Sequence, residues 1–207
     1  MEIEFQNDYT INNCLYATPT FTMQERGKLA QVPCNGDKAN CYVDNPVYIT
    51  NILYIPYPKD LKDTYEDGIL RFTNTSNNVK VLTIGFDINI PVYAQSCSNW
   101  GLTATVRLLY TGDKLLMESD SFTLAKAAVL PFFPQTYDCK KISFNNTNNY
   151  TNIIMEPKVQ YYIYAKIYVK KLETECGPGA QMALNYYDNC SAGDFSGTIT
   201  FFNYVNA

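Results

Sequence analysis

Two kinds of residue in this 207-residue chain have types and spacings that could do chemistry: seven cysteines, at positions 14, 34, 41, 97, 139, 176 and 190, and four asparagines in N-x-S/T patterns. Cysteine sulfurs oxidise to cystines, and asparagines in that pattern accept N-linked sugar, so both point to an oxidising, exported setting. No two cysteines form C-x-x-C, which removes the zinc-ribbon and thioredoxin readings. Cys34-Asn-Gly-Asp-Lys-Ala-Asn-Cys41 is polar and turn-forming, suited to a bridge that closes a surface loop. Cys176 and Cys190 flank a second candidate loop, and Cys97 with Cys139 then pair by elimination, leaving Cys14 over; spacing alone leaves connectivity open.

The acceptor asparagines are Asn74, Asn145, Asn149 and Asn189. With 21 Asn and 27 Ser or Thr among 207 residues, chance supplies about 21 × 27/207, or about 2.7 matches. Position therefore says more than number. Asn74, Asn145 and Asn149 fall in turn-rich stretches between strand-like runs, where a glycan would stand clear of the core.

Histidine is absent. That excludes Ser-His-Asp and Cys-His nucleophile pairs, His-ligated zinc and a switch near neutral pH. No P-loop, G-x-G-x-x-G or G-x-S-x-G pattern occurs, so no catalytic, cofactor-binding or metal-ligating residue is assigned, and the chain reads as non-enzymatic. Four carboxylates gather between Lys59 and Gly68 without the ligand spacing of an EF-hand. The net charge of -4 comes without a Lys/Arg block, which argues against nucleic acid as a partner. No apolar run approaches the roughly 20 residues that span a bilayer.

The elements that must position these residues are strands. Leu82, Ile84, Phe86, Ile88 and Ile90 alternate with polar or small residues, and Leu102, Ala104, Val106, Leu108 and Tyr110 repeat the pattern before a Thr111-Gly112-Asp113 turn. Further strands are expected at 47–56, 69–74, 121–125, 159–172 and 197–205, with loops filling 20–46 and 126–158. In the 159–171 stretch Ile163, Ala165, Ile167 and Val169 form a core face, and Tyr162, Tyr164, Lys166, Tyr168 and Lys170 form an aromatic and basic ladder opposite. Such a ladder packs across strands, stacks on sugar rings or covers a subunit contact. Together these features predict an all-β antiparallel sandwich, Ig-like or jelly-roll, of about seven to nine strands.

At the N-terminus Met1-Glu2-Ile3-Glu4-Phe5 alternates apolar and acidic residues. We read residues 1–12 as an extended strand and 13–207 as a single sandwich domain. The strand either belongs to its own sheet or adds to the sheet of a neighbouring copy. The opening residues carry no basic n-region or apolar h-region, so export implies a processed terminus, or an intact reading frame such as that of a virion protein.

A Tyr-, Asn- and Thr-rich sandwich with these sequons and an alternating N-terminal strand resembles the thread-type surface filament subunits of thermoacidophilic archaea, in which an Ig-like head accepts the N-terminal tail of the next subunit. The resemblance implies an extracellular, glycosylated homopolymer at the cell surface, with Met1, Ile3 and Phe5 as donor residues and Asn74, Asn145, Asn149 and Asn189 as glycan acceptors. The alternatives are a capsid, turret or tail component of a virion and a carbohydrate-binding module.

Overall fold

The computed structural model describes residues 20–22, 27–34, 36, 40–49, 58–97, 99–127, 136–146, 149–175, 179–186 and 196–207. Its strands are β1 (Thr20–Thr22), β2 (Ala30–Gln31), β3 (Cys41–Tyr42), β4 (Val47–Tyr48), β5 (Leu61–Glu66), β6 (Ile69–Asn74), β7 (Lys80–Ser96) and β8 (Trp100–Tyr110). After these come β9 (Lys114–Glu118), β10 (Phe122–Lys126), β11 (Thr136–Asn145), β12 (Thr151–Met155), β13 (Gln160–Thr174), β14 (Gln181–Leu184) and β15 (Ser196–Asn206). All pairings are antiparallel and form two sheets. The expected β-sandwich is therefore present. Among the described residues it has fifteen strand segments, more than the seven to nine expected, in part because β1 to β4 are separate two- or three-residue pieces. Among the described residues no helix is long and apolar enough to cross a membrane.

The first sheet is organised by the 17-residue β7, which pairs with β15 and β14 on one side and with β12 and β11 on the other. Its inward side chains Ile84, Phe86, Ile88, Ile90, Val92 and Ala94 are fully buried. Pro91 is tolerated in so central a strand because of where its missing N–H falls. β15 pairs with β7 as far as Asn89 and β14 from Val92, and the Pro91 carbonyl accepts from Asn185 N–H at 2.9 Å in the gap between them. A strand residue's N and O point to the same side, so the one bond proline cannot make is the return bond to Asn185 O, which accepts from Gly27 N–H at 3.0 Å instead.

The second sheet is built on β8 and β13, paired over eleven positions with a bulge between Val169 and Lys171. The two sheets face each other across one core, with Phe72 and Phe201 meeting edge to face at 5.6 Å. Two expectations are corrected here. The stretch 126–158 contains β11 and β12 instead of only loops, and the stretch 20–46 contains β1, β2 and β3.

Candidate functional site

The Cys34–Cys41 bridge is present, with Cα atoms 5.9 Å apart. Cys41 opens β3, whose pairing with Val169 anchors one end of the loop to β13, and Cys34 is buried in the core at the other. Closing an eight-residue loop stabilises the fold by about 2.5 kcal/mol in the chain-entropy account. Cys97 and Cys139 are also disulfide-bonded, but the expected bridge between them is not formed. Register sets Cys139 opposite Tyr93, four residues back along β7 from Cys97. That is about 13 Å of extended chain, whereas a cystine needs Cα atoms within about 7 Å. Cys14, Cys176 and Cys190 lie outside the described residues.

The asparagines divide by environment. Asn145, the last residue of β11, is exposed on the outward face opposite Asp87, and Asn149 is exposed four residues later. Between them Asn146 is buried: its Oδ1 accepts from Phe86 N–H at 2.5 Å and its Nδ2 donates to Thr151 Oγ1 at 3.1 Å. Asn146 thus pins the loop to β7 and leaves its two neighbours outside. Tyr150, the middle residue of the second sequon, covers the bare backbone of Gly85 and stacks on Phe202 at 4.5 Å.

Asn74 is a correction. It is 0% exposed, its Nδ2 donates to Asn78 O at 2.8 Å and to Met155 O at 2.9 Å, and its Oδ1 accepts from Ser76 N–H at 3.0 Å. Both amide hydrogens are engaged, so a glycan on Nδ2 has neither space nor a spare bond. In the pattern Asn74-Thr75-Ser76 the asparagine is the buried first residue of a partly exposed turn, and nothing in the triplet itself reveals this. Asn189 lies outside the described residues.

The tyrosine and lysine ladder occupies the outer face of the second sheet and is tightly interlocked. The Arg107 guanidinium lies 3.6 Å from the centre of the Tyr168 ring, donates to Tyr42 Oη at 2.9 Å and sits 3.2 Å from Glu118 Oε2. Burial opposes the Arg107 charge, but hydrogen bonds to Tyr42 and Glu118 outweigh it and hold its pKa above the ordinary arginine value. Farther along, Tyr48 packs on Tyr162 and Tyr164 at 5.8 and 5.5 Å, and Lys166 pairs with Asp113 at 3.0 Å. Burial and the Asp113 hydrogen bond push the Tyr164 hydroxyl well above the usual phenol range. Cross-strand packing accounts for each of these contacts.

The carboxylates between Lys59 and Gly68 do not converge. Asp60 lies 3.8 Å from Lys80, Glu66 lies 3.4 Å from Arg71, and β5 spreads them along a hairpin edge. Among the described residues no three His, Cys, Asp or Glu side chains are placed to hold a metal ion. An open trough over Gly101 is lined by Asn99, Lys126, Glu173 and Glu175. Its acids are partnered: Glu173 pairs with Lys171 at 2.8 Å, and Glu175 accepts from Asn99 at 3.0 Å.

Met1, Ile3 and Phe5 lie outside the described residues. The first strand described, β1, pairs with β15 at the rim of the first sheet, Thr20 opposite Thr198 and Thr22 opposite Ser196. No family model matches the chain, and no curated protein matches it. Among solved structures it is similar to the structure of Eiger TNF from S. frugiperda, at 12% identity and a TM-score of 0.31 over 88% of this chain and 90% of that one. A likeness of that degree carries no argument about function.

Proposed function

We propose that the protein is a non-enzymatic extracellular structural protein, a glycosylated β-sandwich subunit similar to archaeal thread-type filament subunits, which polymerises head to tail by donating its N-terminal strand. The observation that carries this reading is the position of β1. Among the described strands it is the outermost of the first sheet and pairs with β15 over three residues, and a sheet edge is the place where strands are added between copies. Oxidised Cys34, Cys41, Cys97 and Cys139 fit an exported protein, and exposed Asn145 and Asn149 fit a glycosylated one. The partners are then further copies of this chain and N-linked glycans.

Electron microscopy of material from the native source tests the reading. Fibres anchored to cells support it. Particles enclosing a genome support the virion alternative and overturn it, as do uniform monomers. A carbohydrate-binding reading rests on a separate observation, the tyrosine face of the second sheet. Isothermal titration with soluble oligosaccharides addresses it, and loss of a binding signal in Tyr168→Ala with folding intact supports it.

A further inference from the structure

The acceptor triplet Asn149-Tyr150-Thr151 is closed into the fold by its neighbour Asn146. Every polar group of Asn146 is engaged. Its N–H donates to Phe86 O at 3.0 Å and its Oδ1 accepts from Phe86 N–H at 2.5 Å, which ties it to β7. Its carbonyl accepts from Asn149 N–H at 2.9 Å, and its Nδ2 donates to Thr151 Oγ1 at 3.1 Å. One buried residue thus grips both ends of the triplet.

The middle of the triplet is held as well. The Tyr150 ring lies so close over Gly85 that a Cβ there would meet its Cε1 at 2.6 Å, and it stacks on Phe202 at 4.5 Å with the ring planes 14° apart. Thr151 opens β12 and lies opposite Ile84 of β7. Asn149 is itself exposed, so the folded loop carries a sugar there without opening.

Receiving a sugar is a different requirement. The N-x-S/T pattern fixes two polar groups, the acceptor amide and a hydroxyl two residues on, so a transferase that reads the pattern must contact both. In the transfer, Asn149 Nδ2 bonds to C1 of the sugar and the bond from C1 to a lipid-linked phosphate breaks. The phosphate leaves with the electron pair, and an amide proton passes to a base of the transferase. The transferase needs the Thr151 hydroxyl throughout, and in the fold that oxygen is taken by Asn146 while the peptide beside it is pressed on β7.

We propose that Asn149 receives its sugar only while this loop is unlatched, before β12 docks on β7, and that Asn146 is the latch that then withdraws the triplet. The proposal rests on the glycosylated reading above and adds an order of events to it. Sugar comes first, and the seating of Asn146 on Phe86 and of Tyr150 on Gly85 follows. A copy that folds bare stays bare at Asn149.

Transfer in vitro tests the order. The full chain, in an Asn145→Gln background so that Asn149 alone reports, is produced with its disulfides in a host that lacks N-glycosylation. It is offered to a purified single-subunit oligosaccharyltransferase with a lipid-pyrophosphate-linked oligosaccharide, and sugar mass is read on the tryptic fragment 142–158. A synthetic peptide of residues 144–155 with the same substitution serves as the open acceptor. Asn146→Ala and Tyr150→Ala each release part of the latch and keep the N-x-T pattern at Asn149. The peptide should be modified readily and the folded chain about tenfold more slowly or less, because transfer then waits for local opening. Both variants should recover most of that difference while keeping a cooperative unfolding transition, and if Asn146→Ala does not fold, Tyr150→Ala decides alone. A folded chain modified as fast as the peptide overturns the proposal and leaves the glycosylated reading standing, as do folded variants as slow as their parent. A peptide that takes no sugar overturns the proposal together with the glycosylated reading at Asn149.

Discussion

The Tyr204 hydroxyl lies 3.0 Å from Asn74 Oδ1 and 3.1 Å from the Asp60 carbonyl, so one buried amide joins the last strand of the first sheet to the first hairpin of the second. Lys80, 5.4 Å from the centre of the Tyr204 ring, closes the same corner. Burial, together with the nearby Asp60 charge, holds the Tyr204 phenol well above its ordinary pKa.

Asn74→Ala should therefore act as a core mutation. It removes the donor to Met155 O and one of the two acceptors of the Tyr204 hydroxyl, which keeps the Asp60 carbonyl, and a buried group left unsatisfied costs about 1 to 3 kcal/mol. We expect a loss of about 3 kcal/mol in denaturant unfolding and no change in glycan mass. Tyr204→Phe should lose less, because it leaves both Asn74 amide donors paired. An Asn74→Ala protein with wild-type stability, or one lighter by a glycan, would contradict the placement of Asn74.

The Asp113 carboxylate should contribute to acid stability. Hydrogen bonds from Tyr164 and Lys166 hold its pKa below the ordinary aspartate value of 3.8. A carboxylate with a depressed folded pKa contributes stability that is fully present above the unfolded value and is lost as pH falls through the folded one. The contribution should therefore persist at pH 5 and fade below about pH 4. In Asp113→Asn, melting temperatures measured from pH 7 to 2.5 should fall less steeply below pH 4 than in the wild type, and a parallel shift across the whole range would rule the mechanism out. The effect is small because the Asp113 side chain is 58% exposed.

Glycan mass should reside at Asn145 and Asn149. Both are exposed at either side of buried Asn146, so neither needs the loop to open. Intact-mass measurement of native protein should exceed the polypeptide mass, and Asn145→Gln with Asn149→Gln should remove the increment from this loop while leaving the melting temperature within a degree or two. Bare mass in the native protein would refute occupancy of both.

Strands with one face fully buried are legible in the sequence because burial enforces strict parity: Leu82 to Ile90 on β7, Leu102 to Leu108 on β8, and Ile163 to Val169 on β13. β11 escapes because Cys139, Lys140 and Lys141 occupy its first half, and only Ile142 and Phe144 reach the core. β12 escapes because Ile154 is apolar yet 56% exposed, which breaks the alternation. The sequon pattern is blind to burial, so Asn74 and Asn145 look alike until the fold separates them. The Cys34–Cys41 bridge was legible because one short loop holds both sulfurs, whereas proximity of Cys97 and Cys139 depends on the register of β11 against β7, and spacing along the chain does not encode register.

The N-terminal residues decide between the two uses of a terminal strand. If Met1, Ile3 and Phe5 fill a groove in another copy, removing residues 1–5 leaves each sandwich with its own core intact and deprives its neighbour of the added strand. The truncated protein should then keep its cooperative unfolding transition and form no fibres under conditions in which the full chain does. Ile3→Asp and Phe5→Asp should behave the same way, since burying an unpaired carboxylate in an apolar pocket costs several kcal/mol. If instead the segment completes its own sheet, truncation should lower monomer stability measurably while sparing whatever assembly remains at low temperature. Circular dichroism melts of the truncated monomer, read alongside electron micrographs, separate these outcomes. An assembled map in which each copy inserts its own terminus would overturn strand donation whatever the melts show, because donation requires main-chain bonds that cross from one copy to the next.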